Sequence, residues 1–132
     1  WSPDASRHQL FTNTSDGAGI AMVDLANPST QIPIFAGYAP YSVSPAGTLL
    51  TYLTKPTIQL VNLAAPQGTP VAIQTGAAVA APIWDWSPNG QFIAIADDAN
   101  QQRLVRIDGA AASTPVPLGV TSARPIYFAW QP

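Results

Sequence analysis

One histidine, no cysteine and seven acidic residues are all that the 132 positions offer to acid–base, nucleophilic or metal chemistry. His8 stands alone, so no histidine-based metal cluster can form within one chain. At the start of a strand-like run it reads as a surface residue. Asp97-Asp98 brings two carboxylates together, but the alternating oxygen ligands of an EF-hand loop are missing around it. The pair falls where two strands must turn, and Asp16-Gly17 is likewise a hairpin signal first. There is no G-x-S-x-G elbow, and the single histidine has no recognisable catalytic partner. The expectation is therefore a chain with no catalytic residue, no cofactor and no metal ligand. Asp85 is the carboxylate in the most informative setting, between Trp84 and Trp86. Buried and unpaired it would be costly, so it must take a hydrogen bond from a neighbour or face a channel where a ligand meets it.

The element that holds Asp85 organises the whole chain. Ile83-Trp84-Asp85-Trp86 reads as a short bulky strand, since aromatic residues suit a pleated, half-buried surface. Ser87-Pro88-Asn89-Gly90 then suits a type I turn, with Pro presetting φ and Gly fourth. Gly90 should sit in a backbone conformation that alanine resists. Residues 91–97 return as a second strand. The same signature stands at Trp1-Ser2-Pro3-Asp4, at Val43-Ser44-Pro45-Ala46-Gly47 and at Trp130-Gln131-Pro132. Its prolines are 42, 43 and 44 positions apart, close to the period of a four-stranded propeller blade. Second strands are expected at 9–12, 48–54 and 91–97, and third strands at 20–25, 58–63 and 104–108. Outer strands are expected at 31–36, 70–74 and 115–120. Pro33, Pro70, Pro115 and Pro117 fall in that last set, where only an edge or a strand start tolerates them. The repeats run approximately over 1–43, 44–86 and 87–132 of a single segment.

On these residues the chain resembles the TolB-like, WD-repeat-like β-propellers, whose blades carry a W-S-P-D-G turn between the innermost and second strands. Met22-Val23-Asp24-Leu25 and Leu60-Val61-Asn62-Leu63 also match that family's hydrophobic-hydrophobic-Asp-Leu third strand. Ala5, Val43 and Gln131 depart from it, replacing the turn Gly, the Trp and the Ser. The resemblance implies an all-β fold of three four-stranded antiparallel blades, half of a six-bladed propeller, and a bacterial periplasmic or extracellular setting. It says little about activity, because propellers host many unrelated functions. One function is a binding or assembly scaffold without catalysis. The alternative is the propeller of a larger secreted hydrolase resembling the prolyl-oligopeptidase group, with its catalytic residues elsewhere.

Composition narrows the partners. Charged residues are 9% of the chain and hydrophobic ones 47%, with 14 Pro, 9 Gly and a net charge of −2. The five basic residues are scattered rather than gathered into the patch that nucleic acid requires. No apolar run is long enough for a membrane-spanning helix. Few Lys and many Ala, Thr, Pro and Gln suit an extracytoplasmic protein, and a start at Trp1 suggests a mature, clipped or excised segment.

Three blades cannot close a ring of the usual size. The phase of the repeat suggests what completes them. Trp1, Ser2, Pro3 and Asp4 form a turn without the inner strand that should precede it. Ile126, Tyr127, Phe128, Ala129 and Trp130 form an inner strand without the blade that should follow. The expectation is self-association, or pairing with an adjoining segment. A six-bladed homodimer is the first choice, an intramolecular neighbour the second and a head-to-tail filament the third. Trp84, Trp86, Trp130, Tyr41, Tyr127 and Phe128 are expected to pack between blades.

Overall fold

The computed structural model describes residues 9–14, 19–37, 39–54, 56–74, 83–96, 101–121 and 128–130. These residues form twelve strands and no helix, gathered into three antiparallel sheets. The first sheet comprises β1 (Gln9–Asn13), β2 (Gly19–Asp24) and β3 (Gln31–Ala36), in that order. The middle sheet is β4 (Tyr41–Val43), β5 (Leu49–Thr54), β6 (Thr57–Asn62) and β7 (Val71–Gln74). The third holds β8 (Ile83–Trp86), β9 (Phe92–Ala96), β10 (Gln101–Asp108), β11 (Ala111–Ala112) and β12 (Val116–Thr121).

Each sheet is a meander because each turn is written locally. At Ser44-Pro45-Ala46-Gly47 the Gly47 amide donates to the Ser44 carbonyl at 2.8 Å, and the Ser44 amide to the Leu49 carbonyl at 2.9 Å. Ser87-Pro88-Asn89-Gly90 closes with the same two bonds, Gly90 to Ser87 at 2.8 Å and Ser87 to Phe92 at 2.9 Å. Gly47 and Gly90 take φ of +66° and +69°, the left-handed region that a Cβ disfavours. The serine hydroxyls tighten both turns, accepting from the Leu49 amide at 3.1 Å and the Phe92 amide at 2.9 Å.

A second turn follows β2 in the first sheet and β6 in the middle one. The Asp24 carboxylate accepts from the Ala26 amide, and the Asn62 side-chain oxygen from the Ala64 amide, each at 2.9 Å. This is the Asx geometry that makes Asp and Asn turn formers.

Four strands per sheet hold only for the middle one. Among the described residues the first sheet has nothing beyond β1. In the third sheet the outer strand is broken. Gly109, at φ +59°, turns the chain tightly enough for β11 to pair with β10 at once. Ser113 still bonds Arg106 of β10 through its amide and hydroxyl; the chain then leaves the ladder at residues 114–115 and rejoins β10 as β12, with a register shift between Gln101 and Arg103. The prolines keep to edges. Pro33 lies in edge strand β3 and Pro117 in edge strand β12, while Pro70 and Pro115 immediately precede β7 and β12.

The middle sheet is buried on both faces, which explains its nearly unbroken apolar strands. Leu50, Tyr52, Val61 and Leu63 pack against Phe11, Ile20, Met22 and Ile34 of the first sheet. On the opposite face Leu49, Leu53, Ile58 and Leu60 pack against Trp86, Ile93, Ile95 and Val105 of the third. Alternation along β5 sends successive residues to opposite seams.

Candidate functional site

The sites of interest are the two inter-sheet seams and the edge of the first sheet. In the middle and third sheets the strand before the Ser-Pro turn, β4 or β8, covers the edge of the second strand. Tyr41 pairs with Tyr52 and Val43 with Leu50. Trp84 pairs with Ile95 and Trp86 with Ile93. In the first sheet β1 holds the position of β5 and β9, but among the described residues nothing pairs with its outer side. An exposed row of unpaired amides and carbonyls is a template for another strand.

Side chains of β4 and β8 reach across to the preceding sheet. The Tyr41 ring lies 6.4 Å from that of Phe11, tilted by 52°. The Trp84 indole N–H donates to the Thr51 hydroxyl at 2.9 Å, and that hydroxyl donates to the Ser42 carbonyl at 3.2 Å. Thr51 is fully buried, so this relay satisfies polar groups that water cannot reach. Phe35 and Tyr52 stack in the other seam at 4.0 Å and 6°. Burial there pushes the Tyr52 phenol above its ordinary value.

Of the aromatic set, Trp86 is buried in the core and Trp84 packs half-buried against it. Tyr41 is exposed apart from its contact with Phe11, and Phe128 and Trp130 are half-buried. Residues 128–130 lie in no strand, unlike the inner strand expected at 126–130. A strand exists only by its ladder, and no described strand pairs with them. Trp1, Ser2, Pro3, Asp4, Ile126 and Tyr127 lie outside the described residues, as do His8, Asp16-Gly17 and Asp97-Asp98. Gln9 Oε1, Trp86 Nε1 and Trp130 Nε1 are buried without a hydrogen-bond partner.

Asp85 is exposed, not buried, which removes the premise that it must be compensated. Trp84 and Trp86 both point to the middle sheet, so alternation turns Asp85 the other way. Its Oδ1 accepts from the Trp86 amide at 2.9 Å. That alternation was legible in the sequence as the signal for an outward carboxylate.

The side of the first sheet away from the middle sheet carries Ala21 and Val23, and both are buried. A cleft of about 250 Å³ lies between the two Ser-Pro turns and the Gly109 turn, lined by Ala46, Thr48, Asn89, Gln91 and Asp108 among others. Among the described residues no three metal-ligating side chains gather, and no helix is long and apolar enough to cross a membrane. Compared with protein-family models and with curated protein sequences, the chain matches none.

Proposed function

We propose that this chain is a non-catalytic β-propeller module of the TolB-like type, a binding and assembly scaffold completed by strand exchange. Its three sheets are three consecutive blades, and a second copy supplies the other half of a six-bladed ring. An adjoining segment of a longer chain is the second choice for that half, and a head-to-tail filament the third. Its expected setting is the periplasm or the cell exterior.

One observation carries the assembly. Among the described residues nothing pairs with the outer edge of β1, where the other two sheets hold β4 and β8, and residues 128–130, which share the aromatic pattern of β8, lie in no strand. Strand addition satisfies both, because main-chain hydrogen bonds give affinity and alternate side-chain pockets give specificity.

Light scattering on the 132-residue chain and on a form lacking residues 126–132 tests the proposal. A dimer for the first, and an aggregating species or a destabilised monomer for the second, is expected. A truncated chain that stays a folded, soluble monomer as stable as the parent overturns it, as does a monomeric parent.

A further inference from the structure

We infer that residues 128–130 add to β1 of a second copy in one fixed antiparallel register: Phe128 opposite Thr12, Ala129 opposite Phe11 and Trp130 opposite Leu10. In this register the Phe128 ring rests on Ala94 of its own chain. The inference rests on the assembly proposed above and specifies its partner and its geometry.

The register follows from two completed examples. In the middle sheet the residue two before Ser44-Pro45, Ser42, faces Thr51, and Tyr41 faces Tyr52. In the third, Asp85 holds the place of Ser42 and faces Ala94, and Trp84 faces Ile95. The first sheet is brought into correspondence by β1 and β2, which match β5 and β6. Leu50 pairs with Val61, just before the Asn62 turn, and Leu10 pairs with Val23, just before the like-built Asp24 turn. Leu10 is therefore the counterpart of Leu50, and Thr12 of Tyr52. Phe128-Ala129-Trp130-Gln131-Pro132 aligns with Trp84-Asp85-Trp86-Ser87-Pro88. Phe128 then takes the place of Trp84 and Tyr41, opposite Thr12.

The same correspondence gives the floor beneath Phe128. Tyr41 touches Phe11 of the preceding sheet, and Trp84 touches Thr51. Phe11 pairs with Met22, Thr51 with Leu60 and Ala94 with Leu104, so these three residues occupy one position. Ala94 lies on the third sheet's outward face and is 4% exposed. Its side chain is smaller than those of Phe11 and Thr51.

A second copy is the occupant of β1 in this inference, because residues 128–130 placed on the third sheet are too far from β1 of their own chain. Within one chain the middle sheet separates the third sheet from the first. Two sheet spacings come to about 20 Å. A strand resting on the third sheet cannot also pair with β1 of its own chain.

The absence of cysteine gives a clean test. Two single-cysteine variants, Thr12→Cys and Phe128→Cys, are mixed and mildly oxidised, so that any covalent heterodimer is intermolecular. Leu10→Cys with Trp130→Cys is a second in-register pair, should loss of the Phe128 ring weaken folding. Thr12→Cys with Ala129→Cys, one residue out of register, is the control. Heterodimer at least tenfold above the control is expected. Equal yields, or none from a sample that is dimeric by light scattering, overturn the register while the assembly stands. A Thr12→Cys/Phe128→Cys double variant that closes only within its own chain overturns the second copy. A monomeric parent overturns the assembly itself.

Discussion

Between the first and middle sheets the seam is aromatic: Phe35 lies flat on Tyr52, and Phe11 meets the tilted ring of Tyr41. Between the middle and third sheets it is mostly aliphatic, with Trp86 buried in it and Trp84 anchored by one hydrogen bond to Thr51. The two seams use the same strand positions, since Phe11 and Thr51 each lie beneath the reaching residue of the next sheet. Position is set by the turns that fix each hairpin's register. Chemistry is free to differ, provided that volume is filled and polar atoms are paired.

Removing bulk should show the difference most strongly. Trp86 is 5% exposed and Tyr41 39%. Trp86→Ala is expected to lose about 3–5 kcal/mol of unfolding free energy in denaturant titrations, and Tyr41→Ala far less. Comparable losses would mean that the first seam depends on its rim as much as the second depends on its centre. A smaller effect separates polar from apolar anchoring. Thr51→Val keeps the shape but removes the acceptor of the Trp84 indole, at a cost of about 1–3 kcal/mol. Adding Trp84→Phe to that variant should cost little more, because the donor is then gone too. An additive double mutant would break the assignment of the hydrogen bond as the anchor of this seam.

The smallest difference is one of pH. The folded chain keeps the Tyr52 proton that the unfolded chain releases near pH 10.0. That contribution is whole below the ordinary phenol value and is lost as pH rises through the raised one. The parent should therefore lose stability relative to Tyr52→Phe in alkaline denaturant titrations. Parallel profiles would show that burial at this seam leaves the phenol untouched.

Much of this architecture is legible in the sequence because it is local. Ser-Pro-x-Gly states its turn, and the strands of the middle sheet fall within a residue or two of where period and punctuation put them. Gly90 takes the left-handed φ that a fourth-position turn glycine calls for. The break between β11 and β12 was not legible. Residues 111–120 mix Ala, Pro and Val with no clear alternation to mark where a ladder stops and resumes, and the early pairing follows from the Gly109 turn. For Asp85 the flanking tryptophans left burial open, while alternation places the residue between them outside, where it accepts a backbone hydrogen bond. The want of a strand at residues 128–130 was hidden for another reason: a sequence pattern names a strand but not its partner.

Every ladder described joins strands adjacent along the chain, apart from β12, which passes only β11 to reach β10. This has a consequence in time. Hairpins of this kind form in about 1–10 μs, and contacts of short sequence separation carry little loop-closure cost. Each sheet can therefore assemble on its own stretch of chain, and the seams can close in succession as neighbouring sheets meet. In the assembly proposed above, the addition of residues 128–130 to β1 of a second molecule would be different in kind. Such a step is bimolecular, so maturation by that route would have one late step whose rate rises with protein concentration while all earlier steps ignore it.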